Sequence, residues 1–153
     1  MAQTVSDLKQ ADPDEVVEIW AEDEARLGLK PILRRVWAKR GERPQAVVYP
    51  RYEWLWVFAA LHPESGRVFW MILPYLNAEI MQLFLDEFAA SALEGKRIVM
   101  VMDGATAHRG KALRVPDRIR LVGLPAYSPE LNPTQRLWPL VKEPVANRAQ
   151  EGL

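Results

Sequence analysis

The order of apolar patterns along the chain predicts an α/β protein with a mixed sheet of about five strands and flanking helices. Three observations carry this. Two aromatic and β-branched runs, Glu53 to Leu61 and Arg67 to Leu73, are joined by His62-Pro63-Glu64-Ser65-Gly66, a short connector with Pro and Gly that signals a hairpin. Ala78 to Leu93 has apolar residues at helical spacing. Ile98-Val99-Met100-Val101-Met102 is a short continuous apolar run, as in parallel strands buried on both faces.

The remaining elements follow in chain order. Residues 1–15 are charged, contain a Pro and lack periodicity, so they read as a flexible leader before a single domain over 16–153. Val16 to Asp23 reads as a strand with Val17, Ile19, Ala21 and Asp23 on one face and Glu18, Trp20 and Glu22 on the other. That parity favours Asp23 over Glu22 as the acid on the apolar side, unless the strand is central and buried on both faces. In the helix, Asn77 fits an N-cap and Gly95 a C-terminal stop, and Ile80, Leu83, Phe84, Phe88 and Ala92 form the expected buried stripe. Arg97 to Met102 is the buried strand, and Ile119 to Leu124 is another, after a short helix or loop around Lys111 to Arg114. A last helix is expected from Pro133 with Asn132 as N-cap, bending or restarting at Pro139, where the ring would meet the carbonyl four residues back. Pro144 repeats the problem.

Composition bounds the function. A chain of 153 residues fits one domain able to bury a core, and 49% apolar with 26% charged residues is ordinary for a soluble globular protein. Lys plus Arg equal Asp plus Glu at 20 each, so no global field draws the chain to nucleic acid or membrane, and DNA affinity must come from local clusters. There is no cysteine, which removes disulfides and thiolate metal sites. The N-terminus lacks a secretory apolar core, and no apolar stretch approaches the roughly 18 residues that span a bilayer. The expectation is a cytoplasmic protein, associated with the nucleoid if it binds DNA.

Four features could carry chemistry. Asp103 ends an apolar strand, where α/β folds place their ligands, and a carboxylate there can hold a hard dication; it could equally cap the turn of Asp103-Gly104. Asp23 sits in Glu22-Asp23-Glu24, a run that also suits a solvated loop entry. Two strand-end acids in one sheet mean more than either alone, because a two-metal site needs several carboxylates. His108 could position a phosphate or a water, or hydrogen-bond within its loop. Arg26, Lys30, Arg34, Arg35, Lys39, Arg40 and Arg43 form a basic stripe around Trp37 with Glu42 as counter-charge. Such a stripe can follow a phosphate backbone while the indole stacks on a base, or it can be a solvated loop. Phosphate loops, serine nucleophile elbows and zinc spacings are absent.

In this order the elements match the ribonuclease H-like fold, and the motifs resemble the catalytic domain of bacterial insertion-sequence transposases of the mariner-related DDE superfamily. Ala21-Glu22-Asp23-Glu24 is similar to its first acid motif and Trp37-Ala38-Lys39-Arg40-Gly41 to the basic segment after it. Val101-Met102-Asp103-Gly104-Ala105 with His108 is similar to the second. Leu124 to Pro133 followed by Arg136-Leu137-Trp138 is similar to the third, which is long and specific. The resemblance covers Val16 to about Arg148. It implies Mg²⁺ or Mn²⁺, two ions per site, cleavage at transposon ends and strand transfer into target DNA, with Asp23 and Asp103 as metal ligands.

Two departures stand out. Gln135 occupies the slot of the third acid; its amide oxygen can ligate a metal but brings no charge and cannot act as a base, so activity is expected to be attenuated. Gln135 also falls at N3 of the last helix, where Gln completes a capping box as well as Glu does. Glu130, five positions earlier, is a poor substitute ligand. The second departure is the lack of room before Val16 for the helix-turn-helix region that recognises transposon ends, so a homodimer or a partner polypeptide is expected to supply end recognition. The rival readings are a catalytically dead remnant that only binds DNA or a partner, and a receiver-type α/β protein with Asp103 as its reactive acid. The antiparallel hairpin suits a fully parallel receiver sheet poorly.

Overall fold

The computed structural model describes residues 16–29, 35–45, 51–92, 95–103, 113–125 and 128–145. Its elements are β1 (Val16–Gly28), β2 (Trp54–His62), β3 (Arg67–Leu73), α1 (Ala78–Ala92), β4 (Lys96–Met102), β5 (Ile119–Gly123), 3-10 turns at Pro129–Leu131 and Pro133–Arg136, α2 (Leu137–Lys142) and a last 3-10 turn at Glu143–Val145. The sheet order is β3-β2-β1-β4-β5. β2 is antiparallel to both β1 and β3, while β4 is parallel to both β1 and β5. A tight turn joins the antiparallel strands, and Gly66 supplies its positive φ of 72°. The step from β3 to β4 instead runs through α1, the crossover that strands on opposite sides of the sheet require.

One face of the sheet is built from Trp20, Phe58, Ala60, Ile98, Met100 and Met102, which pack against Met81, Phe84, Leu85 and Phe88 of α1. Phe69 meets Phe84 and Phe88 at ring centroid distances of 5.5 Å, which ties the hairpin to the helix. Emptying the Phe84 site would cost about 3–5 kcal/mol. The opposite face is smaller and closes differently: Ala25, Val57 and Ala59 lie under Trp138 of α2.

The hairpin and the strand at Arg97 to Met102 lie where the sequence predicts them. The cap of α1 is also as expected, with Asn77 Oδ1 accepting from the Ile80 N–H at 2.9 Å. Three details differ. The buried stripe of α1 runs through Met81 and Leu85 and not Leu83, which is 41% exposed; positions 81, 84, 85 and 88 form the i, i+3, i+4, i+7 set that faces the sheet. The Ala92 side chain lies outside the described residues. β1 continues five residues past Asp23 to Gly28, because β2 pairs with Ala21 to Gly28 and makes a strand of a stretch whose acidic sequence suggests a loop entry. The last helix begins at Leu137, after a 3-10 turn over Pro133–Arg136. Pro139 then falls in the first turn of α2, where its missing N–H leaves no bond unmade, so the chain changes geometry ahead of the proline. Residues 1–15 and the Lys111 end of the β4–β5 connection lie outside the described residues.

At its N-terminal end β1 is held by ions. Glu18 Oε1 accepts from Arg67 Nη2 at 2.5 Å and Lys96 Nζ at 3.0 Å, and Glu18 Oε2 from the Trp20 indole at 2.9 Å. Burial raises the Glu18 pKa, but the bonds from Lys96, Trp20 and Arg67 outweigh it and hold the carboxyl at about 2. This cluster joins β1, β3 and β4 away from the candidate site.

Candidate active site

The site is set by how β1 changes partner. Val16 to Ala21 pair with Lys96 to Val101 of parallel β4, and from Ala21 onward β1 pairs with β2. The parallel register holds a constant offset, and two positions beyond its last pair stand Asp23 on β1 and Asp103 just past Met102. Asp23 lies opposite Ala59 and shares the face of Ala21 and Ala25; Glu22 lies opposite Ala60 and turns toward the α1 face. The alternation read from the sequence therefore separates the two acids onto opposite faces.

Past Ala21, the third-motif segment docks on β1. Thr134, fully buried, donates its hydroxyl to the Ala21 carbonyl at 2.5 Å, and Asn132 Nδ2 donates to the Glu22 carbonyl at 2.8 Å. Asn132 Oδ1 also accepts from the Thr134 N–H at 3.1 Å, which caps the 3-10 turn. One side chain thus shapes the turn and fastens it to the strand. Gln135 follows, exposed, and joins the turn through its backbone N–H to the Asn132 carbonyl at 3.2 Å. Among the described residues no side-chain bond from Gln135 closes a capping box. Glu130 is exposed in the preceding turn.

One turn beyond Gln135, the Trp138 indole N–H donates to Asp23 Oδ2. Trp138 stands within the third motif, and no local pattern in the sequence assigns it a part in the site. The available signal is that an aromatic with a polar tip, one helical turn from the motif's ligand position, needs a partner when buried.

The electrostatics of this part of β1 are acidic. Asp23 is 4% exposed, and its carboxyl is pushed up to about 6. Burial is the main cause and the charges of Glu24 and Asp103 add to it, while the bonds from Trp138 and the Glu24 backbone oppose it. Glu22, with 0% exposure, is raised well above the ordinary carboxylate range by burial and then by the charges of Glu24, Asp23 and Asp103. Asp103 is thus close enough for its charge to be felt by both β1 acids.

Among the described residues no three His, Cys, Asp or Glu side chains form a ready-made metal cage. The candidate donors here are two aspartate carboxylates, one within β1 and one just past β4, and an amide on the docked turn. These are oxygen donors of the type a hard dication takes, and the repulsion among the acids is what a positive charge relieves. The donor chemistry suits a hard divalent ion, and it carries one carboxylate fewer than a set of three acids would.

Of the basic stripe, Arg26, Arg35, Trp37, Lys39, Arg40 and Arg43 are exposed, with Trp37 at 103%. Arg26 lies 5.5 Å from the Trp54 ring centroid, and Lys39 pairs with Glu42 at 3.6 Å. Lys30, Arg34 and His108 lie outside the described residues.

Residues 18–151 match the DDE superfamily endonuclease family. The chain belongs to that family. This DDE-family chain is 38% identical over 90 residues to the uncharacterized protein y4pE/y4sA of Sinorhizobium fredii, covering 59% of this chain and 67% of that one. It is 24% identical over 136 residues to the insertion element IS630 uncharacterized 39 kDa protein of Shigella sonnei, covering 86% of this chain and 40% of that one. Its fold matches the Mos1 strand transfer complex with a TM-score of 0.67 at 18% identity, over 99% of this chain and 47% of that one. The Mos1 mariner paired-end complex with Mn matches at 0.66 and 18%, over 99% and 48%. The fold is ribonuclease H-like, and the chain spans less than half of the Mos1 chains that it matches.

Proposed function

We propose that this chain performs metal-dependent DNA strand cleavage and strand transfer at transposon ends, attenuated by Gln135. The observation that supports the proposal is the register of β1 and β4: Ala21 pairs with Val101, and Asp23 and Asp103 each stand two residues further along, near the third-motif segment docked on β1. Asp23 and Asp103 would hold Mg²⁺ or Mn²⁺, with the Gln135 amide oxygen as a neutral third ligand. Bound there, two such ions would activate the attacking water or 3′-hydroxyl and stabilise the leaving oxygen. Gln135 supplies no charge to the second ion and accepts no proton, so the site keeps its shape and loses part of its hold on that ion. Mn complexes of Mos1 have been solved, which supports divalent-ion use in this fold.

The exposed cations Arg26, Arg35, Lys39, Arg40 and Arg43, with Lys30 and Arg34 between them in sequence, would neutralise backbone phosphates. Trp37 would stack on a base, and His108 would face a phosphate. Such contacts position DNA without reading it, so end recognition would come from a second copy or another polypeptide. Among the described residues no helix is long and apolar enough to cross a membrane, and the proposed setting is the cytoplasm, at the nucleoid.

The test is nicking of supercoiled plasmid with Mn²⁺. Gln135→Glu should raise the rate by about 10- to 100-fold, the scale on which even outer ligand partners act, and Asp103→Ala should abolish it. A folded Gln135→Glu protein that gains nothing contradicts the proposal. The neutral Gln135 in the third-acid slot leaves one other reading, a remnant that only binds DNA or a partner. It predicts salt-sensitive DNA binding that is unchanged when Asp23 and Asp103 are both replaced by Ala.

A further inference from the structure

We infer that Trp138 is a positioning residue for Asp23: its indole N–H occupies Oδ2, so that Asp23 meets a divalent cation through its other oxygen. The inference rests on the metal-site reading above and adds to it a residue that fixes the ligand's orientation. Trp138 is 6% exposed and packs with Ala25, Val57 and Ala59. Ala59 is the cross-strand neighbour of Asp23, and Ala25 is the next residue on the same face of β1. Ala25 and Ala59 are small, which leaves room for the indole beside the Asp23 carboxylate. A leucine at either position would lift the ring off the strand.

The donor type matters. Indole Nε1–H is a neutral donor with no lone pair, so it cannot ligate a cation, compete for one or take up a proton from the site. It can only select one orientation of the carboxylate. Trp138 also follows Gln135 by one turn on a segment that Asn132 and Thr134 fasten to the Ala21 and Glu22 carbonyls. The bond to Asp23 is therefore the third tie between this segment and β1, and the one that ends on a candidate ligand. Through it, the spacing between the Asp23 carboxylate and position 135 is held by a rigid ring, as outer partners of metal ligands do elsewhere.

The test is Mn²⁺ affinity, followed by the loss of the free-ion electron paramagnetic resonance signal, in wild type, Trp138→Phe, Leu137→Ala and Asp103→Ala. Trp138→Phe keeps an aromatic ring in the pocket and removes the N–H. Leu137→Ala thins the same apolar cluster and leaves the N–H in place. The expected result is a roughly tenfold or larger loss of Mn²⁺ affinity for Trp138→Phe, with Leu137→Ala lowering the thermal midpoint but binding Mn²⁺ as wild type does. In ¹⁵N-indole spectra the Trp138 signal should shift when Mg²⁺ is added to wild type and not when it is added to Asp103→Ala. Unchanged affinity in Trp138→Phe, with Asp103→Ala weakened, overturns the role of Trp138 and leaves the metal site standing. Equal losses in Trp138→Phe and Leu137→Ala overturn it in favour of simple packing. If wild type and Gln135→Glu both fail to bind Mn²⁺, the metal reading falls and this inference with it.

Discussion

Glu18 and Asp23 lie on the same strand, five residues apart, and meet opposite surroundings. Glu18 receives two cations and an indole N–H, and its carboxyl is held at about 2. Asp23 is more deeply buried, receives one indole N–H, and is pushed up to about 6, with Asp103 and Glu24 adding repulsion. The protein neutralises the N-terminal end of β1 with its own side chains and concentrates negative charge around its middle, where β4 ends. A fold does not keep buried, mutually repelling carboxylates for stability. The contrast separates a structural carboxylate from a candidate ligand by what surrounds it, where residue type alone would not.

The largest expected effect is at the acidic region. Asp103→Ala, placed in the Gln135→Glu background, should abolish metal-dependent nicking and the thermal stabilisation by Mn²⁺. That stabilisation should reach about 2.7 kcal/mol when the free ion is at a hundredfold excess over its Kd. Calorimetry with and without Mn²⁺ checks it, and Mn²⁺ stabilisation that survives in Asp103→Ala would erase the contrast between the two regions. Glu18→Gln should act in the opposite manner. It should lower stability by about 1.5–3 kcal/mol, the range of charge-assisted hydrogen bonds, and leave Mn²⁺ binding alone. Asp23→Asn should abolish ion binding yet stabilise the metal-free protein near neutral pH by about 1–2 kcal/mol, since it removes a buried charge and keeps an acceptor for Trp138. Denaturant titration in chelator reads both changes.

The two regions also separate by pH. Glu18 has a folded pKa below its ordinary value of 4.5, so its contribution is present above that pH and is lost as pH falls from about 4.5 to about 2. Asp23 has a folded pKa above its ordinary 3.8, so its contribution is present below 3.8 and is lost as pH rises through about 6. In chelator, Glu18→Gln should flatten the acid limb of the stability curve, and Asp23→Asn the fall between about pH 4 and 6. The smallest effect expected is on DNA affinity. Replacing Arg40 or Arg43 by Ala should each reduce the slope of log affinity against log salt by about 1 and change nothing at the metal site.

Much of this was legible in the sequence where local chemistry decides structure. Pro63 and Gly66 between aromatic runs announce the hairpin, and Asn77 announces the start of α1. Ala21 and Asp23 share parity, which puts Asp23 and Glu22 on opposite faces of the sheet, as the structure has them. What was hidden depends on distant partners. Glu24 and Arg26 look like loop residues until β2 pairs with them. A stripe through Leu83 and one through Met81 both include Phe84 and Phe88, and only the position of the sheet chooses Met81. The Trp138–Asp23 bond spans 115 positions of sequence. The fastening of Asn132 and Thr134 to β1 exists only because β4 leaves that strand after Ala21, which no local pattern records.

The most direct measurement is anomalous diffraction from a crystal of this chain soaked in Mn²⁺. The account predicts a peak between Asp23 and Asp103, about 2.1 Å from a carboxylate oxygen of each, with Asp23 Oδ2 still bonded to Trp138 and Gln135 at the edge of the coordination shell. A crystal with no peak there, or with Mn²⁺ bound to only one of the two aspartates, would contradict it.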